Sequence, residues 1–530
     1  MKETQNRKNY KAFISAAGII LAALVCMYAE SSFHIHPYAT GAYHRLWVLF
    51  LCFVLCGTIL LFLLAYHLFV KPLTKKPSIV RTCTYIVGAL ALLYVFIMPP
   101  MSGADEIRHY LGAYKLSNTI MFQDAADAEG YVYVRKCDSQ ILLNDFPGID
   151  DYYKLTNIYS TGETEPVAFT ADRPVDCLFL AYLPGALGIT LARLLGLPQI
   201  MLMLFGRLFN VVFFMIFFVL AMRRMPFGRE ALLFICALPM TLNQIASFSY
   251  DVYTLALCFY FTAYVLDLAF MRESVKVKDM VILTAVITLV SPVKVVYMLL
   301  ALLMFMIPAA KFGSKKKYII SAACMAVCMV GFFLIQKLTK LAEYTLQTDP
   351  YLSYADTTVY PIGALLGNPL LVIKIFMNTL AVYGGRWYMD MLGARLGWQD
   401  VQIPEVVLLG FTILGIMCAV KPAGEPVYWG TKQRVICIVS AVLCSAAAML
   451  ALLLVYTPDG AQFIYGVQGR YFLPVLPLFM VCIRSGRLRR FDDGTDMIVF
   501  IIAVMDFLAA VYVIGGIMSR MGVTKMLGGN

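Results

Sequence analysis

Long apolar runs separated by short polar breaks occupy most of this chain. A run of about 20 apolar residues is long enough to cross a bilayer as a helix. On that criterion crossings are expected at 12–29, 46–70, 83–98, 201–222, 231–247, 251–271, 318–336, 404–420, 433–456, 470–484 and 497–518. Residues 280–309 lie between two basic loops, so they cross twice or not at all. The expectation there is a hairpin of two short helices bent at Ser291-Pro292. The total is an all-α polytopic membrane protein with about 13 transmembrane helices. Two further apolar stretches, 177–197 and 369–383, fit as helices lying on or dipping into the outer face. The first is interrupted by Pro184, Gly185 and Gly188, and counting it as a crossing would reverse every later basic loop. Irregular segments at membrane depth are tolerated only where they line a protein cavity, so a cavity beside the outer loop is expected.

Composition agrees with lipid as the solvent. Only 14% of the 530 residues are charged, 61% are hydrophobic and the mean hydropathy is +0.77, against about 25% charged in a soluble domain. Residues 12–29 read as a signal anchor, since no small-residue cleavage site follows them. The organisation is a two-span extension (1–82), a membrane core (83–484) with outer loops 99–200 and 337–403, and a final basic loop and helix (485–530).

The net charge of +11 reports topology rather than nucleic-acid binding. Of the 43 Lys and Arg residues, 25 fall in seven short segments: Lys2–Lys11, Lys71–Arg81, Arg223–Arg229, Arg272–Lys278, Lys311–Lys317, Lys421–Arg434 and Arg484–Arg490. Basic loops of this kind stay inside, which places the N-terminus inside. The polar loop that runs to Asp176 has the opposite balance, thirteen acidic residues against six basic, and is outside. Most of the 14 cysteines lie within apolar runs, where they act as small hydrophobes. Cys137 and Cys177 lie in or beside the outer loop, where an oxidising exterior permits a disulfide.

Polar groups at membrane depth usually mark function, and several are expected on the outer side. Pro99-Pro100-Met101-Ser102-Gly103-Ala104-Asp105-Glu106-Ile107-Arg108-His109 follows the third span directly. Ser247–Asp251 forms the turn between the fifth and sixth spans, Lys294 sits in the short hairpin, and Arg470-Tyr471 opens the twelfth span. Acids, a lysine and an arginine on one face suit an anionic substrate and a general base. Arg or Lys neutralises a phosphate, and a carboxylate removes the proton of an attacking hydroxyl. Asp105, beside flexible Gly103-Ala104, is the candidate base. Glu106 or His109 would orient an acceptor. Asp105, Glu106 and His109 are also the residue types that would hold a divalent metal, the one cofactor left open. Arg207, inside the fourth span, reads as a partner in a structural ion pair. Asp251 alone is as well explained by turn chemistry.

Pro-Pro-x-x-x-x-Asp-Glu-x-x-His-Tyr (99–110) resembles a marker of domain-of-unknown-function family 2142, a group of bacterial membrane proteins. Tyr182-Leu183-Pro184-Gly185-Ala186-Leu187-Gly188, Ser247–Asp251, Pro292–Tyr297, Leu396–Asp400 and Gly466–Pro474 are similar to further markers, in the same order. That family in turn resembles the C-type glycosyltransferase (GT-C) superfamily. The resemblance implies a GT-C-like fold and a polyprenyl-phosphate sugar donor. It also implies an acidic outer-loop motif, here Asp105-Glu106, a donor phosphate held by Lys294 or Arg470, and inversion at the anomeric carbon. His109, Tyr182, Asp251 and Tyr471 complete the expected binding set. Here two spans precede the motif-bearing helix, where many members of the superfamily have one.

The expected function is transfer of a sugar to a cell-envelope glycan or lipid-linked acceptor on the outer face of a bacterial plasma membrane. Membrane lipid is the surrounding partner, and no nucleic acid is involved. The rivals are a transporter or flippase of lipid-linked glycans, a glycan polymerase or ligase, and a non-catalytic scaffold. Transporters usually carry internal repeats, and none is evident here.

Overall fold

The computed structural model describes residues 2–30, 44–70, 78–99, 101–139, 162–175, 177–344, 351–352, 357–399, 401–422, 425, 429–484 and 494–526. The basic segments 71–77 and 485–493, the stretch 140–161, Asp176 and Asp400 lie outside the described residues.

The chain is an almost entirely helical, multi-pass membrane protein. Among the described residues eight helices are long and apolar enough to cross a bilayer. They are α1 (Lys2–Glu30), α2 (His44–Ala65, continued by a π turn to Val70), α3 (Ile79–Ile97), α6 (Gln199–Arg224), α9 (Asp251–Phe270), α11 (Lys315–Tyr344), α14 (Thr431–Val455) and α16 (Thr495–Met526). Each coincides with one of the expected long spans. α4 (Glu106–Ile120) and α5 (Phe179–Leu194) lie between α3 and α6.

The remaining expected crossings are short or broken, for local reasons. Pro239 divides 231–247 into α7 (Arg229–Ala237) and α8 (Pro239–Ile245), because a proline inside a helix removes one hydrogen bond and clashes with the preceding turn. Residues 280–309 bend after α10 (Val277–Val290), at Ser291–Lys294. The second leg, Val295–Met306, is a 3₁₀ helix. At roughly 2.0 Å per residue its 12 residues reach about 24 Å, against about 18 Å for the same residues as α-helix. α13 (Glu405–Ala419) has 15 residues, and the segment from Gly469 is a 3₁₀ turn joined to α15 (Leu476–Cys482). The helix expected at 369–383 is longer, α12 (Pro369–Leu392), and includes Lys374, Arg386 and Asp390.

α6 is the post of the molecule, with α3, α5 and α9 packed on it. α9 is buried along its whole length and has no lipid-facing side, which is why its sequence is apolar all round. The segment 177–197, expected to lie on or dip into the outer face, forms α5 and packs on α6. The short connection Leu195–Pro198 turns α5 back alongside the first half of α6. Small residues allow the approach: a Cβ on Gly188 would lie 2.4 Å from the backbone oxygen of Phe205. α4 packs on α5, and together they rise from the end of α3 on what is here termed the loop face.

Side chains pin the polar loop to these helices. Asp138 accepts from Tyr114 of α4 at 2.8 Å and from Arg135 at 2.8 and 2.9 Å. Arg135 lies in a small hairpin, β1 (Tyr133–Arg135) with β2 (Pro166–Ala168). Arg193 of α5 donates to Asn118 of α4 at 2.7 Å. Cys137 and Cys177 do not form a disulfide with each other.

Gly188→Ala places its methyl against backbone, which cannot swing aside. We expect a loss of about 1–3 kcal/mol, as in overpacked cores, read as a lower unfolding temperature in detergent, whereas Gly384→Ala, with open space around it, should be neutral.

Candidate functional site

The two acids of the Asp-Glu motif have different surroundings. Glu106 is fully buried and paired with Arg207 of α6, which is itself 1% exposed. Arg207 Nε donates to Oε1 at 2.8 Å and Nη2 to Oε2 at 2.7 Å. The same guanidinium donates to the carbonyls of Met98 at 2.7 Å and Pro99 at 2.9 Å. Glu106 also accepts from the backbone N–H of Gly103 at 3.0 Å and of Phe248 at 3.3 Å. Its oxygens are fully engaged in joining the end of α3, the start of α4, α6 and the turn before α9. Glu106 is therefore placed as a structural anchor.

Asp105 is half-buried, and its backbone is left-handed, with φ +58°. Asp tolerates that region better than most residues. Its carboxylate makes no hydrogen bond or ion pair among the described residues. Asp105 caps the start of α4, and its backbone carbonyl accepts from the His109 N–H at 3.1 Å.

His109 begins the polar centre. It is buried, its ring lies edge-on to Tyr250 at 4.7 Å, and Nδ1 is 2.9 Å from the Tyr182 hydroxyl. Tyr182 donates in turn to the Val175 carbonyl at 3.2 Å. Gly112 makes room for this: a Cβ there would be 2.7 Å from the Tyr182 ring. Burial pushes the His109 imidazole down to about 3. Asp251 opposes the shift, and Arg470, Lys294 and Arg108 add to it. The ring is neutral at physiological pH and serves as a hydrogen-bonding group.

Beyond Tyr250 the remaining expected residues meet. Lys294 is paired with Asp251, and Arg470 Nε lies 3.6 Å from the other Asp251 oxygen. The Lys294 ammonium faces the rings of Tyr471 at 4.7 Å and Tyr250 at 5.1 Å. Side-chain exposures of 13% for Lys294 and 9% for Asp251 and Arg470 put all three in a poorly solvated setting. Two cations share one carboxylate, so the group has a net positive charge. The guanidinium is also loosely held, since Nε has no hydrogen bond and Nη1 reaches Gln244 only at 3.4 Å. A buried, under-satisfied arginine beside a lysine has the chemistry to receive an anion.

An apolar cavity of about 560 Å³ starts at the residue after Lys294. Val295, Leu299, Met325, Met329, Leu450 and Leu454 are among its walls, from the 3₁₀ leg, α11 and α14. The Tyr297 hydroxyl, on the same leg, donates to the Tyr471 carbonyl at 2.7 Å and fixes the cavity relative to the cations.

The structure thus joins His109, Tyr182, Asp251, Lys294, Arg470 and Tyr471. Among the described residues it leaves the Asp105 carboxylate without a partner at the start of α4 and commits Glu106 to Arg207. Among the described residues no three His, Cys, Asp or Glu side chains are placed to hold a metal ion, so Asp105, Glu106 and His109 do not form a ligand set. Sequence reasoning did not single out Tyr250 or Gln244, nor the bond between Glu106 and Arg207. Tyr250 was within reach as the neighbour of Asp251, whereas Gln244 and the ion pair carry no local spacing signal.

The family described as "Predicted membrane protein (DUF2142)" matches residues 86–479, and the chain belongs to it. That span runs from α3 to α15 and includes every site residue above. No curated protein and no solved structure matches the chain.

The two acids are expected to differ in stability measurements. Glu106→Gln or Arg207→Met leaves a buried charge without its partner, at about 3–5 kcal/mol, while Asp105→Asn should change thermal unfolding by less than about 0.5 kcal/mol. Acid should expose His109. The unfolded imidazole takes up a proton below about 6.5 and the folded one does not, so stability falls with pH from about 6.5 down to about 3. Between pH 7 and 5 this costs roughly 2 kcal/mol, and His109→Gln should remove that part of the acid sensitivity.

Proposed function

We propose that this protein is a GT-C-like glycosyltransferase that takes a sugar from a polyprenyl-phosphate donor at the loop face, the outer face of a bacterial plasma membrane, with the N-terminus inside. The acceptor is a cell-envelope glycan or lipid-linked sugar. The observation that carries this reading is that Lys294, which shares Asp251 with Arg470, directly precedes Val295, the first residue lining the apolar cavity. A lipid phosphate needs a cationic seat for its head and a hydrocarbon-like groove for its tail, in that order along the ligand. Here both occur within consecutive residues, and the cavity falls within the usual range of about 300–1,000 Å³ for ligand pockets.

In this account Lys294 and Arg470 hold the donor phosphate and stabilise the charge that grows on it as the glycosidic bond breaks. Asp251, the internal anion that keeps the cations positioned, yields part of their coordination to phosphate. Asp105 takes the proton of the acceptor hydroxyl as its oxygen bonds to the anomeric carbon. Neutral His109, supported by Tyr182, accepts or donates a hydrogen bond to orient a substrate hydroxyl. A flippase is the second reading, favoured by the break between α7 and α8 and the bend at Ser291–Lys294, since interrupted helices line the sites of many transporters.

Purified protein in liposomes, given radiolabelled polyprenyl-phosphate sugar and an envelope lipid extract as acceptor, tests the proposal. Wild type should release free polyprenyl phosphate. Asp105→Asn should abolish release while donor still binds, and Arg470→Ala should weaken donor binding at least about tenfold, the loss of one charge-assisted contact. Donor that changes leaflet without release of polyprenyl phosphate would favour the flippase. Full turnover by Asp105→Asn would remove Asp105 from the chemistry.

A further inference from the structure

The last span contains a carboxyl that plays no part in the proposed transfer. Asp506, in α16, is fully buried, and neither of its oxygens has a hydrogen-bond partner. Its neighbours fix its place between helices. Met505 faces Gly410 of α13, where a Cβ would lie 2.6 Å from its methyl group. Phe507 fills the space over Gly57 of α2, at 2.0 Å by the same measure. α16 packs on the N-terminal spans, α3, α7 and α13, and Asp506 is enclosed among them. An ionised carboxylate there, with no counter-charge among the described residues, is costly and can only be transient. The neutral acid is the state the bundle can hold, and it still has one donor and one acceptor to satisfy.

A second orphan lies on α3, a helix packed against α16. Tyr94, near the loop-face end of α3, is fully buried and its hydroxyl is also unpartnered. Past the end of the same helix, the Oγ of Ser102 is buried and unpartnered as well, three residues before Asp105. Among the described residues no cation is bonded to Asp506. α2 presents Gly57 and Phe53, and α13 presents Gly410. On α7 the thiol of Cys236 is buried and Glu230 is bound to Arg484, while α8 adds the unpartnered hydroxyl of Thr241.

We propose that Asp506 and Tyr94 form a proton-binding site within the membrane, with Asp506 carrying an exchangeable proton and Tyr94 hydrogen-bonded to it through a bridging water. An O–H bond forms on the carboxylate when a proton arrives from the loop face along Tyr94 and Ser102. It breaks when the proton returns, and no electrons are transferred. Uncompensated acids at membrane depth are typical of proton relays, and a leucine would otherwise occupy this place at no polar cost.

Infrared difference spectroscopy of full-length protein in liposomes, wild type against Asp506→Asn, tests the site without reference to any enzymatic activity. A protonated-carboxyl stretch should be present at neutral pH, absent from the variant, and shifted when the medium is changed to D2O. A carboxylate signature at neutral pH, or a protonated band that D2O never shifts, would overturn the proposal. Tyr94→Phe removes the neighbouring hydroxyl alone, guards against misfolding of the first variant, and should move the Asp506 stretch; an unmoved stretch would overturn the pairing.

Discussion

The buried ion pair between Glu106 and Arg207 is the constraint on which the loop face depends. Two charges removed from water are tolerated only with close geometry and every remaining donor and acceptor engaged. Here a bidentate contact, two carbonyls at the end of α3 and two backbone N–H groups meet that requirement. The bond from Phe248 brings in the turn that leads to Asp251. One pair therefore sets the start of α4, where Asp105 and His109 stand, relative to the start of α9, where Asp251 stands. The left-handed backbone of Asp105 fits the same picture, because the chain must turn sharply there for Glu106 to point inward.

The cationic group depends on that frame and answers to a different balance. Asp251 is shared between Lys294 and Arg470, so neither cation is fully compensated, and the tyrosine rings around Lys294 supply only a weak negative face. Strong internal compensation would close the site to an outside anion, and none at all would disorder the cations. The arrangement between those limits suits reversible binding of a phosphate. The 3₁₀ leg beginning at Val295 links this balance to the membrane, since its first residues adjoin the cations and the rest form a wall of the apolar cavity.

Much of this was legible in the sequence, for identifiable reasons. The eight long spans follow from hydropathy because each supplies enough apolar length by itself. The bend at Ser291-Pro292 was legible too, but the break at Pro239 and the 3₁₀ form of the leg Val295–Met306 were not, because a proline leaves composition apolar while changing geometry and hydropathy does not distinguish 3₁₀ from α-helix. Asp251, Lys294 and Arg470 could be placed on one face by counting crossings. Asp105 and Glu106 were misleading as neighbours: consecutive residues at a helix start point in different directions, so one faces inward and the other stays free. That Glu106 meets Arg207, 101 residues away, depends on packing that no local pattern encodes.

A structure of the protein in a lipid nanodisc with added polyprenyl phosphate is the most direct test of the central claim. The account predicts the phosphate within hydrogen-bonding distance of Lys294 and Arg470, the tail against Leu299 and Leu450, and Asp105 facing the same space. A phosphate bound elsewhere, with Lys294 and Arg470 still closed on Asp251, would contradict it.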